Sequence, residues 1–129
     1  MARGKVGLGR RGETLAAEAL TRHGYTIVAR NWYCREGEVD IVASCDGELT
    51  FFEVRTRRGT RYGAPEESVS PRKRARMEAV ARRYLAEQPT ALDVFWHLGL
   101  VAVALDSSGR LQRITVYPDL EGKPWDATI

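Results

Sequence analysis

The stretch EVDIVASCDGELTFFEVRT, residues 38–56, decides the fold because it reads as two strands joined by a tight turn. The residues on either side of the Asp46-Gly47 pair are rich in β-branched and aromatic side chains, and an Asp-Gly pair between such runs is a strong hairpin signal. A two-residue turn at this pair places Asp40 directly across from Glu53. We therefore predict a β-hairpin in which two acidic side chains face each other.

The two faces of this hairpin differ in polarity. Because side chains alternate along a strand, Glu38 and Arg55 point from the same face as the two acids. That face continues toward the turn with Val42, Ser44, Leu49 and Phe51. The opposite face is apolar and consists of Val39, Ile41, Ala43, Phe52 and Val54. We predict that helices pack against the apolar face.

Two helices are predicted outside the hairpin. Residues Glu13–Arg22 carry leucine and alanine at helical spacing, and the following Gly24 ends the helix. Ser70-Pro71 begins the second helix, with serine as N-cap and proline at the first helical position. The predicted apolar stripe of that helix is Met77, Val80, Ala81, Tyr84 and Leu85. Further strands are predicted at residues 26–30, 98–105 and 111–116.

Length and composition favour a single domain. The chain has 129 residues, 43% of them hydrophobic, which is enough for one core. We expect a flexible N-terminal tail at residues 1–8, an α/β domain at 9–117 and a C-terminal tail at 118–129. The sequence shows neither an apolar run long enough to span a bilayer nor a secretory signal, so we expect no membrane partner and a cytoplasmic location. Cys34 and Cys45 are accordingly expected to be free thiols.

Positive charge is concentrated in one part of the chain. Between Arg55 and Arg83 there are ten basic and three acidic residues, although the whole chain has a net charge of only +3. The basic residues are Arg55, Arg57, Arg58, Arg61, Arg72, Lys73, Arg74, Arg76, Arg82 and Arg83. Such clustering favours a polyanionic partner, and it equally fits a solvated helix face with loop arginines.

The acidic pair of the hairpin needs a counter-charge. Two carboxylates directly opposite on a sheet repel each other, and a divalent cation relieves that repulsion. Mg²⁺ is commonly held by one or two carboxylates together with waters and substrate phosphates. The same spacing also fits cross-strand charges on a wet sheet face, neutralised by arginines such as Arg55. The pattern alone leaves both interpretations open.

The segments GEVDIVA, residues 37–43, and FFEVRTR, residues 51–57, resemble the PD-(D/E)xK nuclease motif. More closely, the chain resembles the YraN-like family of bacterial proteins, a group of predicted endonucleases, over about residues 9–117. Further matching pieces are Gly12-Glu13, Gly24-Tyr25, Arg30-Asn31 and Pro71-Arg72-Lys73.

This resemblance implies an α/β fold of the restriction-endonuclease-like type, in which a mixed central sheet of about five strands is flanked by helices, similar to archaeal Holliday-junction resolvases. It implies that Asp40 and Glu53 bind Mg²⁺ or Mn²⁺ and that the backbone carbonyl of Val54 completes the metal shell. Glu13 matches a helix acid found near the metal, although an acid there also suits the start of a helix. Glu38 is expected to orient Arg55 rather than to bind metal.

The chain departs from the family pattern at two positions. Arg55 stands where the motif has lysine, and arginine can contact a phosphate but cannot act as a base because it stays protonated. Lys73 could replace the motif lysine if it reaches the site. Gly99 falls about where the family usually carries an aspartate. Both departures suggest weakened catalysis, while the two acids remain.

Our leading hypothesis is a metal-dependent DNA endonuclease that acts on branched or damaged DNA. Asp40 and Glu53 would hold the metal, and Arg55 would stabilise charge on the phosphate. Contacts to the DNA backbone are predicted for Arg57, Arg58, Arg61, Arg72, Lys73 and Arg76. Because junction resolvases pair as dimers, the resemblance also implies a homodimer.

Two alternatives stay open. The first is a catalytically inactive nucleic-acid-binding module of the same fold, whose affinity for DNA would be indifferent to Glu53→Gln. The second is a protein-interaction adaptor that uses Trp125 and the C-terminal tail. Absence of DNA binding at low salt would favour the adaptor.

Overall fold

The computed structural model describes residues 6–59, 69–88 and 94–129, which form a six-stranded sheet with one helix on each face. In chain order the elements are α1 Val6–Arg22, β1 Thr26–Cys34, β2 Gly37–Cys45, β3 Glu48–Arg58, α2 Pro71–Ala86, β4 Trp96–Leu105, β5 Leu111–Tyr117 and β6 Trp125–Asp126. The strands lie side by side in sequence order. Strands β3 and β4 are parallel, and the other neighbouring strands are antiparallel. The predicted mixed α/β architecture is thus confirmed.

The predicted β-hairpin is confirmed in its turn and its register. Asp46 and Gly47 have φ values of +53° and +80°, the combination that the tightest hairpin turns require. Pairing runs from Cys45 opposite Glu48 to Ile41 opposite Phe52. The ladder therefore stops one step before the acidic pair.

Helix α1 packs on the sheet face that carries Phe52. Its alanines and Leu20 are buried because they fall on one side of the helix, at the spacing that the sequence predicts. The cluster on this face contains Ala16, Ala17, Ala19, Leu20, Ile41, Ala43, Phe52, Val101, Val103, Leu105, Ile114, Val116 and Ala127. This is the larger of the two cores.

Helix α2 connects the two parallel strands and packs on the opposite face, the one that carries Phe51. Ser70 caps the helix, since its side chain accepts a hydrogen bond from the backbone N–H of Lys73, and Pro71 occupies the first turn as predicted. The second core contains Val39, Val42, Phe51, Val80, Ala81, Tyr84 and Leu98. Both faces of the hairpin are therefore covered, whereas the sequence predicts packing on one.

One residue of the hairpin lies on the other face from the prediction. Val39 packs with Val42 in the α2-side core, whereas Ile41 packs in the α1-side core. The strict alternation of side chains thus breaks at Asp40, the residue between Val39 and Ile41. A period-two pattern assumes a regular strand and does not anticipate such a break.

Helix α1 begins earlier than the sequence predicts. It starts at Val6 rather than Glu13, and residues 6–8 of the expected N-terminal tail are helical. Three glycines in this segment lower its helix propensity and conceal the helix in the sequence. Contacts with the rest of the fold compensate, including a hydrogen bond from the Arg11 side chain to the carbonyl of Gly109.

The C-terminal stretch, predicted as a tail over residues 118–129, is part of the fold. Strand β6 pairs with β5 through Trp125 and Asp126, and Ala127 is fully buried in the α1-side core. A two-residue strand carries no periodicity that a sequence pattern can reveal.

A further difference concerns the end of β3. Strand β3 runs on to Arg58, past the predicted end of the hairpin at Thr56, and residues 60–68, including Arg61, lie outside the described residues. Neither of the two described helices is long and apolar enough to cross a membrane.

Candidate active site

Asp40 lies where the pairing between β2 and β3 stops. Its Oδ2 accepts a hydrogen bond from the backbone N–H of Val54 at 2.8 Å, so the side chain takes the place of the next ladder bond. On the other side, the pairs Arg30–Ile41 and Trp32–Val39 place Asn31 opposite Asp40, and Asn31 has a positive φ of +52°. The sheet is thus irregular on both sides of this carboxylate.

The surroundings of Asp40 are apolar and acidic. Burial raises the pKa of Asp40 to about 7, against the opposing effect of the hydrogen bond from Val54. The negative charges of Glu53, Glu13 and Glu38 contribute to this raised value. The predicted pair of acids is therefore close enough to interact, and two more carboxylates belong to the same group.

Glu53 is the member of this group that has cations beside it. Its Oε2 lies 2.7 Å from Lys73 Nζ and 3.2 Å from Arg55 Nε, and its side chain is only 16% exposed. The contact with Lys73 bridges β3 and the first turn of α2. Its other oxygen, Oε1, has no hydrogen-bond partner among residues 6–59, 69–88 and 94–129.

A cavity of about 420 Å³ opens beside Glu53, along the part of β3 that no longer pairs with β2. Its walls come from β3 and from the first turns of both helices. The polar residues that line it are Glu13, Glu53, Arg55, Thr56, Arg57 and Lys73. The cavity therefore presents acids and several cations to the same space, an arrangement suited to a phosphate group together with a cation.

Glu13 and Glu38 stand at the edge of the acidic group. Glu13 is 4.0 Å from the guanidinium of Arg30, and its side chain is 19% exposed. Burial raises the pKa of Glu38, and the charges of Glu13 and Glu53 add to this effect. Glu38 therefore belongs electrostatically with the acids, whereas the sequence assigns it to the orientation of Arg55.

The chain matches a family model described as "Uncharacterised protein family UPF0102" over residues 12–103. The chain belongs to the UPF0102 family. A UPF0102 protein of Acidothermus cellulolyticus is 47% identical over 116 residues, which cover 88% of this chain and 88% of the relative. A UPF0102 protein of Roseiflexus castenholzii is 47% identical over 98 residues, covering 76% and 79% of the two chains. Membership confirms the predicted YraN-like family, and these names state no activity.

The number and type of metal-ligating side chains limit which metal ion this UPF0102 site could hold. Among the described residues, no group of three or more His, Cys, Asp or Glu side chains is placed to hold a metal ion. Mg²⁺ needs less, because it is commonly held by one or two carboxylates and keeps several waters. Asp40 and Glu53 meet that requirement, and each has one carboxylate oxygen without a hydrogen bond from another described residue.

The sequence underrates Lys73 as a site residue. From the sequence, Lys73 is expected mainly to contact the DNA backbone. In the structure its ammonium forms an ion pair with Glu53. A signal was present in the sequence, because the first turn of α2 contains cations and no acid, contrary to the preference of a helix N-terminus.

The residues predicted to contact DNA have different surroundings. Arg72 and Arg76 are exposed on α2 and form no ion pair with a described residue. Arg57 lines the cavity, and its buried Nε has no partner in the described part of the chain. Arg58 donates from Nε to the carbonyl of Ser107 at 3.2 Å and so holds the β4–β5 turn.

Gly99 occupies a position at which a side chain does not fit. A Cβ added there would lie 2.6 Å from the carbonyl oxygen of Tyr117 and 2.8 Å from Cε1 of Phe52. An aspartate at this position would require the neighbouring strand to move. The packing of β4 therefore does not accommodate the aspartate that the resemblance leads us to expect at this position.

Proposed function

We propose that this UPF0102 chain is a metal-dependent DNA endonuclease of the restriction-endonuclease-like fold. The observation that carries the proposal is the group of acids at the end of the β2–β3 ladder, in which Asp40 and Glu53 interact beside a cavity lined by cations. A mixed sheet with a helix on each face and a hairpin that carries these acids agrees with such a fold.

Asp40 and Glu53 would hold Mg²⁺ or Mn²⁺, with the carbonyl of Val54 as a further ligand and Glu13 close by. When bound there, such a metal would lower the pKa of a coordinated water and help to stabilise charge on the phosphate. The chain's own contribution is positional. Because Asp40 is fixed by the Val54 N–H and Glu53 by two cations, both carboxylates are held in place before a ligand arrives.

Arg55 would stabilise negative charge on the phosphate as it develops. Its Nε donates to Glu53, and its side chain lines the cavity into which the phosphate would enter. The exposed Arg72 and Arg76 would contact neighbouring phosphates of the DNA backbone, and such contacts make binding sensitive to salt. Branched or damaged DNA and a homodimer remain part of the proposal as substrate and assembly.

The test is cleavage of linear duplex, single-stranded and four-way-junction DNA in the presence of Mn²⁺ or Mg²⁺, together with calorimetric Mn²⁺ binding. Asp40→Asn should reduce cleavage by a factor of about 100 or more and weaken Mn²⁺ binding, because it removes a metal ligand. Asp46→Asn, in the hairpin turn, is the matched control and should leave both unchanged.

Wild-type chain that neither cleaves any of these DNAs nor binds Mn²⁺ would refute the proposal. Metal-independent DNA binding that persists unchanged in Glu53→Gln would instead support an inactive binding module of the same fold.

A further inference from the structure

The shortest charged contact in the site comes from a helix. Lys73 Nζ lies 2.7 Å from Glu53 Oε2, whereas Arg55 Nε lies 3.2 Å from the same oxygen. The nuclease motif carries its cation on the strand, at the position of Arg55. Here two cations from different elements share one carboxylate oxygen, and the lysine is the nearer.

Lys73 stands where the helix itself would favour an acid. It is the third residue of α2, and its backbone N–H donates to the cap residue Ser70 at 3.1 Å. A glutamate at this position would complete a capping box and suit the helix dipole, whereas a lysine opposes the dipole. Its placement is therefore better explained by the site than by the stability of the helix.

The shape of an ammonium suits two partners at once. Lysine has three N–H donors on one atom, whereas the donors of arginine are fixed in a plane. One donor of Lys73 serves Glu53, and the side chain, which is 34% exposed, lines the same cavity as Glu53 and Arg55. A phosphate oxygen that enters this cavity beside Glu53 comes within reach of the remaining donors.

Building on the nuclease function proposed above, we infer that Lys73 is a catalytic residue whose ammonium bridges Glu53 and the scissile phosphate. It thereby takes over, from helix α2, the position that the motif lysine holds on strand β3. The replacement of that lysine by Arg55 then leaves the site complete rather than impaired.

The experiment compares Lys73→Met with the same substitution at the exposed Lys123, which lies outside the site. Cleavage is measured with Mn²⁺, and DNA binding is measured with Ca²⁺ in place of Mn²⁺. Lys73→Met should lower the cleavage rate by about 100-fold or more, since it removes a donor to the transition state. Lys123→Met should cleave and bind as the wild type does.

Two further variants separate catalysis from a structural ion pair. Lys73→Arg should keep the thermal stability of the wild type without its cleavage rate, because the planar guanidinium cannot serve both partners from one atom. The double variant Lys73→Met/Arg55→Lys should cleave at least about 10-fold faster than Lys73→Met alone, because a lysine is then present on the strand.

The inference is overturned if Lys73→Met cleaves like Lys123→Met, or if Arg55→Lys gives no restoration. A wild type that does not cleave at all would refute the proposed function instead. In that case DNA binding tests the contact between Lys73 and a phosphate. Weaker Ca²⁺-supported DNA binding in Lys73→Met than in Lys123→Met supports this contact, and equal binding excludes it.

Discussion

At the scale of single residues, Asp40 and Glu53 are stabilised in different ways. Glu53 has two cations on one oxygen, whereas Asp40 receives a backbone N–H and has a pKa raised to about 7 by burial and by its acidic neighbours. Near neutral pH and without a cation, Asp40 therefore holds a proton for much of the time. A divalent ion that binds there must displace this proton, so metal affinity should rise with pH up to about neutrality.

The raised pKa of Asp40 predicts a pH dependence of stability. An aspartate has an ordinary pKa of 3.8, and the folded value is about 7. Between these values the folded chain keeps a proton that the unfolded chain releases, so the free energy of unfolding falls as pH rises and levels off above pH 7. Asp40→Asn removes the titrating carboxyl group, and with it this loss of stability at high pH. Chemical denaturation in EDTA should show the variant more stable than the wild type by on the order of 4 kcal/mol at about pH 8, and equal to it near pH 3.

Asp126→Asn provides a control of opposite sign. Hydrogen bonds from Thr128 lower the pKa of Asp126, so its stabilising contribution is present above the pKa of the unfolded chain and is lost as pH falls. The variant should therefore be less stable than the wild type at neutral pH and equal to it in acid. A wild type whose stability rises from about pH 4 to pH 7 relative to Asp40→Asn would contradict the assignment.

The sequence predicts the register of the hairpin correctly, because the Asp46-Gly47 turn sets it as far as Ile41 opposite Phe52, one step short of the two acids. It does not predict the reversal at Val39, which depends on an irregular backbone at Asp40. Nor does it place Lys73 on Glu53, because the approach of α2 to β3 depends on packing between residues distant in the chain.

At the scale of elements, the close approach of α1 to β3 depends on Gly12. This residue is buried, and a Cβ added to it would collide with Thr56 Oγ1 and lie 3.0 Å from Thr56 Cβ. The close contact fixes the position of α1 over the strand that carries Glu53.

Gly12→Ala should therefore destabilise the fold by about 1–3 kcal/mol, the usual cost of overpacking. Gly7→Ala in the same helix is the matched variant, since nothing lies within 4 Å of a Cβ added there. It should stabilise the helix by about 0.5–1 kcal/mol, because alanine has the higher helix propensity. Urea denaturation of both variants measures the difference, and equal effects of the two substitutions would show that Gly12 is not a packing position.

The ends of the elements are where sequence and structure disagree. The glycines of α1 conceal its first turns, and strand β3 continues past the predicted end because β4 pairs with it as far as Arg58. In both cases contacts with another element stabilise the extra residues of the helix or strand, and the local propensity of the sequence does not predict such contacts.

At the scale of the whole molecule, the C-terminal stretch completes the core on the α1 side. Ala127 is fully buried, whereas the side chain of Ile129 is 96% exposed. The backbone of this stretch is also tied to the end of α1, since Arg22 donates to the carbonyl of Ala127 at 3.4 Å and the ring of His23 lies 4.9 Å from that of Trp125.

The same substitution at these two positions should have very different results. Ala127→Glu places a carboxylate in the core and should cost about 3 kcal/mol or more, because a buried charge without a partner is expensive. Ile129→Glu should change stability by less than about 0.5 kcal/mol, as expected of an exposed site. Thermal unfolding followed by circular dichroism measures both, and a stable Ala127→Glu variant would mean that residues 125–127 are not integral to the domain.

The architecture as a whole follows from the sequence in outline. The hairpin and helix signals, together with the family resemblance, predict a mixed α/β fold, and the structure confirms that class. The sixth strand is not predicted because it pairs with β5 through only two residues, too few to show an alternating pattern in the sequence.

The contact between α1 and the final strand has a consequence for synthesis of the chain. Helix α1 leaves the ribosome before Ala127, which is fully buried in the cluster on which the helix packs. Until that residue emerges, the hydrophobic cluster beneath α1 is incomplete, and part of the apolar side of the helix remains accessible to chaperones. We therefore expect the nascent domain to complete its α1-side core only after residues 125–127 have emerged.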